Sequence, residues 1–119
     1  MTHNLGAFFD EGGYVMADKL VSELHITKTE LAGAIGLSRA ALTRRDRLGS
    51  VATQQRLRQV TEILTRIEPW AGSLGAAWAW YRSYPIPPLG NLTAEELVVA
   101  GRAGEVHDYL AHIAEGGYA

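Results

Sequence analysis

HITKTELAGAIGLSRAALTRR, residues 25–45, decides how the chain folds. Thr27 and Glu30 have capping-box spacing: the threonine hydroxyl accepts from the backbone N–H three residues on, and the glutamate reaches back to the threonine N–H. A helix Lys28–Ile35 follows, with Leu31, Ala34 and Ile35 facing inward. Gly36 stops it, because the left-handed residue wanted there is cheap only for glycine. Leu37 plugs the turn, and Ser38 caps a second short helix from Arg39 to about Asp46.

Two short helices, a glycine turn and an apolar plug between them make a helix-turn-helix signature. About residues 17 to 66 resemble Xre-type helix-turn-helix domains. In such units the second helix enters the major groove with its first residues nearest the bases. That implies a DNA-reading face of Ser38, Arg39, Thr43 and Arg44, with Ala41 and Leu42 toward the core. Arginine suits bidentate bonding to guanine, and serine or threonine a phosphate or base edge. Arg45, Arg47, Arg56 and Arg58 are expected to meet phosphates. The other reading is a packed helical hairpin with a solvated arginine face.

Charge is distributed in blocks that bear on this choice. The net charge of −2 is the sum of −3 over residues 1–38, +5 over 39–66 and −4 over 67–119. A basic middle between acidic ends points to a local surface for a polyanion.

Upstream, Met16, Leu20, Val21 and Leu24 fall on one helical face. Residues 1–15 are glycine-rich, with Phe8, Phe9 and Tyr14 as their large side chains, and read as a flexible arm or, equally, as a short helix in a dimer contact. Downstream, Gly49 and Ser50 break the chain before an amphipathic helix from about Thr53 to Ile67. Leu57, Val60, Leu64 and Ile67 form its stripe, and Gln54, Arg56, Arg58, Gln59, Glu62 and Arg66 cover its other sides. Its stripe must serve both ends of the chain, so one continuous core is expected. Pro69 is expected to end this strut, since proline withholds a helical hydrogen bond. Trp70 to Ser73 make a joint, and a helix runs from Leu74 to about Arg82. Three tryptophans within eleven residues (Trp70, Trp78 and Trp80) read mainly as core fillers. Trp80 lies off the main face and is an expected interface anchor.

The last third is a short helical module. Pro85, Pro87 and Pro88 force extended backbone, and Leu89-Gly90-Asn91 turns it. Thr93 and Glu96 form a second capping box, opening a helix Ala94–Ala100. After Gly101 and Gly104 comes a helix from Glu105 to Glu115, with Val106, Tyr109, Leu110 and Ile113 on one face. Gly116-Gly117-Tyr118-Ala119 forms a bare tail.

About residues 55 to 119 resemble the C-terminal toxin-binding domain of MbcA/ParS/Xre antitoxins, partners of RES-domain toxins. The matching residues are Ala77, Trp78, Pro88, Leu89, Gly90, Leu92, Thr93, Glu96, Leu97, Gly101, Val106, Leu110, Ile113 and Gly116. Two positions depart: Asn91 stands where the family has a second glycine, and Ala94 where it has a proline. The resemblance implies an all-α fold in three parts: a flexible arm 1–15, a helix-turn-helix with connecting helix 16–67, and a toxin-binding domain 68–119. It implies an antitoxin of a type II toxin-antitoxin system. The C-terminal segment would occlude the active site of an NAD-consuming RES toxin, and the protein would autorepress its operon through DNA. The toxin-facing residues implied are Trp80, Tyr109, His112, Gly116, Gly117, Tyr118 and Ala119. The Ala119 carboxylate would stand in for a phosphate opposite toxin arginines. The expected partners are that toxin, operator DNA and a second copy of the chain.

Other classes are disfavoured. No cysteine is present, which excludes disulfides and thiolate chemistry and fits a cytoplasmic protein. No apolar run is long enough to span a membrane, and the N-terminus has no basic region before an apolar stretch, so no secretory signal is read. No nucleophile elbow, phosphate-binding loop or zinc-protease motif occurs. His107 and His112 are five residues apart, the wrong spacing for one helix face. The chain is therefore expected to be no enzyme and to need no cofactor or metal. The alternative is a stand-alone helix-turn-helix transcriptional regulator whose C-terminal module dimerises or senses a ligand.

Overall fold

A computed structural model describes residues 3–116; Gly117, Tyr118 and Ala119 of the expected toxin-binding tail lie outside the described residues. The secondary structure is eight α-helices among these residues: α1 (Ala17–Leu24), α2 (Lys28–Ile35), α3 (Arg39–Thr43), α4 (Arg45–Leu48), α5 (Val51–Ala71), α6 (Leu74–Ser83), α7 (Ala94–Val99) and α8 (Ala103–Ala114). The all-α expectation holds. Among the described residues no helix is long and apolar enough to cross a membrane.

The caps sit where local sequence placed them. Both capping boxes, Thr27–Glu30 and Thr93–Glu96, are formed in full. Ser38, Ser50 and Ser73 each accept a backbone N–H at the start of α3, α5 and α6. Gly36 is left-handed at φ 76°, and Leu37 N–H returns to Ala32 O at 2.9 Å.

α5 is the axis of the molecule, and α6 packs along it most extensively. Leu57, Val60, Ile63, Leu64 and Ile67 of α5 are all buried. Their cluster also takes in Leu31 and Ile35 of α2, Tyr81 of α6, Leu97 of α7 and Leu110 of α8. One core thus joins the two halves. A polar tie reinforces it. The Tyr81 hydroxyl, fully buried, donates to Ala34 O at 2.7 Å and binds α6 to α2. Burial pushes the Tyr81 phenol far above its ordinary pKa, so it stays a donor.

Four expectations are corrected. The helix expected over 39–46 is broken at Arg44, whose extended backbone (φ −83°, ψ 125°) ends α3 and starts α4. The strut does not stop before Pro69: α5 continues to Ala71. Proline withholds only the bond to the carbonyl four residues back, and α5 ends two residues later, so a single helical bond is lost. Glu68, the residue whose helical conformation proline disfavours, is buried at 1% exposure and held by His3. Gln54, expected on the strut's polar side, is also buried; its amide accepts from Val15 N–H at 2.7 Å and donates to Leu48 O at 2.9 Å.

The fourth correction is the N-terminal segment, which from residue 3 is not a free arm. Asn4 caps a 3-10 turn over Leu5–Phe8, and Phe8 is wholly buried. Asp10 Oδ1 accepts from Gly12 and Tyr14 N–H, both at 2.9 Å, folding the chain back so that Phe9 bridges Val15. His3 closes the segment: its backbone N–H donates to Glu68, and its Nδ1 lies 2.6 Å from Glu68 Oε2. Its Nε2 lies 3.3 Å from Glu23 Oε1 on α1.

Candidate nucleic-acid and protein interfaces

The first candidate surface is built by α3 and α4. Ala41 and Leu42 are buried, which turns Ser38, Arg39, Thr43, Arg44, Arg45 and Arg47 outward; all six are exposed. Arg39 and Thr43 are one helical turn apart, and the Thr43 hydroxyl donates to Arg39 O at 3.1 Å. The Ser38 oxygen accepts from Ala41 N–H, leaving its own hydrogen for a ligand. Arg44 lies 3.6 Å from Asp46 with both side chains well exposed, an ion pair worth little in water. Arg39, Arg45 and Arg47 form no ion pair among the described residues. The break at Arg44 means that these arginines come from two short helices set at an angle, not from one reading helix.

Two arginines assigned to phosphates do other work. Arg56 is half-buried, and its guanidinium donates to Ile35 O at 2.8 Å and Val98 O at 2.9 Å. It donates to carbonyls at the C-terminal ends of α2 and α7, of which Val98 O also accepts from Gly101 N–H at 3.0 Å, and so clamps the two halves together. A Cβ on Gly36 would stand 3.0 Å from that guanidinium and 3.3 Å from Val99 Cα. Glycine is required there for space as well as for its positive φ. Arg58 lies over the Phe9 ring at 5.8 Å, a cation–π contact that pins the N-terminal segment to α5.

The second surface is aromatic. Trp80 is half-buried on α6 and stacks on Tyr84 at 5.4 Å between ring centroids. Tyr84, 39% exposed, adjoins Tyr109 of α8, whose phenol is pushed above its ordinary pKa by partial burial and by the Tyr84 hydroxyl. Tyr109 and His112 then line a cavity of about 310 Å³ with Pro88 and Leu89, open to solvent, with Glu105 and Asp108 on its rim. Pro88 and Leu89 are set there by a 3-10 turn, Pro87–Leu89, closed by left-handed Gly90 (φ 75°) and Asn91 (φ 61°) and by a bridge from Ile86 to Leu92. Asn91 thus adopts a left-handed backbone, which asparagine tolerates.

Trp80, Tyr109 and His112 are therefore brought to one face, although they are far apart in sequence. Gly116, left-handed at φ 84°, ends α8. Sequence reasoning missed Tyr84, although it lies four residues after Trp80 and so shares its side of α6. Trp78 is core, stacked on Tyr81 at 5.5 Å. Trp70 is not: it is 53% exposed at the end of α5. Comparison of the chain with protein-family models, with curated proteins and with solved structures found no match.

Proposed function

We propose that the chain is an antitoxin of the MbcA/ParS/Xre kind, which neutralises a RES-domain toxin through its C-terminal face and binds operator DNA through α3 and α4. The observation that carries the reading is the shelf of Trp80, Tyr84 and Tyr109. Large aromatics half-exposed in a row, beside an apolar cavity, are the composition of a protein-docking surface. The shelf adjoins α8, the helix that leads into the Gly-Gly-Tyr-Ala tail. Inhibition needs no chemistry from this chain. The shelf anchors, the glycines allow close approach, and Tyr118 with Ala119 fills the dinucleotide's place in the toxin.

The DNA half rests on Arg39, Arg45 and Arg47, which are exposed without ion pairs among the described residues. A two-fold dimer would then read paired half-sites. A stand-alone regulator would share this face and differ at the shelf, which would then meet no toxin.

The test is a co-expression growth assay with a RES-domain toxin. Removing residues 116–119 leaves the helical spectrum unchanged and abolishes protection. Full protection by the truncated chain would refute the occlusion reading. Arg39→Ala with Arg45→Ala would remove a salt-dependent gel shift on the upstream promoter; an unchanged shift would refute the groove assignment.

A further inference from the structure

A second cavity, of about 460 Å³, lies between the N-terminal hairpin, the first turn of α1, α4 and the start of α5. Its size is within the roughly 300–1,000 Å³ in which small organic ligands bind. Its walls are Tyr14, Met16 and Leu48, and its floor is Gln54. The floor is closed to further polar contacts by its own bonds: the Gln54 amide is spent on the backbone of Val15 and Leu48. Tyr14 is 49% exposed, yet its backbone is fixed by Asp10. It offers a flat apolar face in a set position.

The rim decides the charge of the occupant. Two carboxylates and two cations stand there. Asp10 is engaged by the amides of Gly12 and Tyr14, and Asp18 lies 2.6 Å from Lys28. Lys19 and Arg45 have no ion pair among the described residues. With Lys28 counted beside Asp18, the formal charge of the rim is +1: Lys19, Arg45 and Lys28 against Asp10 and Asp18. We propose that this cavity binds a small molecule with a flat apolar body and one anionic group, such as an arylcarboxylate or arylsulfonate. The body lies against Tyr14, Met16 and Leu48, and the anion meets Arg45 and Lys19. Arg45 also belongs to the face offered to DNA, so an occupant would compete with phosphate for it; that consequence rests on the DNA reading, whereas binding itself does not.

The probe is 8-anilinonaphthalene-1-sulfonate, compared with its neutral relative N-phenyl-1-naphthylamine, titrated into the full chain in the absence of DNA. The sulfonate binds one per chain with a Kd on the order of 10 µM. The neutral amine binds about fivefold more weakly. Arg45→Gln with Lys19→Gln, changes at exposed positions, weakens the sulfonate to the level of the amine and leaves the amine unaltered, which a merely structural role would not do. Amide chemical shifts move in residues 14–19, 45–49 and 54. The proposal is overturned by non-saturable binding, by shifts centred elsewhere, or by a double variant, Arg45→Gln with Lys19→Gln, that still prefers the sulfonate.

Discussion

Arg56→Met isolates what one guanidinium contributes to joining the two halves. Methionine keeps the apolar stem and removes both donors. The carbonyls of Ile35 and Val98, 2.8 and 2.9 Å from the guanidinium, then lose that donor, and Val98 O keeps the Gly101 N–H at 3.0 Å. A hydrogen bond from a charged donor contributes about 1.5–3 kcal/mol, and the half-exposed position lets water replace part of each. The two together should be worth about 3 kcal/mol. For a chain of this size roughly 4 °C accompanies each kcal/mol, so Tm should fall by about 12 °C. Arg56→Lys should recover less than half, since an ammonium on a flexible stem does not span two carbonyls as a planar fork does. The assay is thermal and urea unfolding followed by far-ultraviolet circular dichroism. At low temperature, where all variants are folded, the salt dependence of DNA binding should be the same for Arg56→Met and the parent. A loss under about 1 kcal/mol, or a shallower salt slope, would refute the clamp and return Arg56 to the phosphates.

Two further outcomes follow from the same packing. Gly36→Ala should cost about 2–3 kcal/mol, because a positive φ is joined by crowding against Arg56 and Val99, whereas Gly72→Ala, at φ 99° with open space around it, should cost only about 1 kcal/mol; equal losses in urea titrations would show that space at Gly36 is not limiting. The His3 latch should make stability depend on pH. Its pKa is raised above 6.5, chiefly by the bond to Glu68 and then by the Glu68 and Glu23 charges, against the opposing effect of burial. A raised folded pKa gives stability that is fully present below the unfolded value and lost as pH rises through the folded one. The gap in Tm between the parent and His3→Gln should therefore be wide at acid pH and narrow at alkaline pH, and a gap that widens with pH would contradict the assignment.

The parts of the fold legible in the sequence are those written in neighbouring residues. Thr27 with Glu30, Thr93 with Glu96 and Gly36 each announce a helix end through spacing of three or through backbone freedom. The stripe Leu57, Val60, Leu64, Ile67 announces the axis by its period. What escaped depends on residues far apart in the chain. Pro69 should stop a helix, and does not, because Glu68 is buried and fastened by a histidine 65 positions earlier. Residues 3–15 hold few apolar side chains, but Phe8 and Val15, both buried, anchor them, and the Asp10-Glu-Gly-Gly turn is a local signal of the fold-back. Arg56 and Arg58 are indistinguishable as letters; only the carbonyls presented to one and the ring presented to the other separate them. In the candidate sites, Trp80, Tyr109 and His112 were identified separately, but Tyr84, the ring between two of them, was not. The break at Arg44 has no proline or glycine to signal it.

The central claim is that this chain works by seating α8 and its aromatic shelf on another protein. Hydrogen–deuterium exchange of the full chain, alone and with a catalytically inactive RES-domain toxin, tests it most directly. The account predicts new protection in residues 80–89 and 105–119, with exchange in α3 and α4 unchanged. Protection confined to α3 and α4, or none at any toxin concentration, would contradict it.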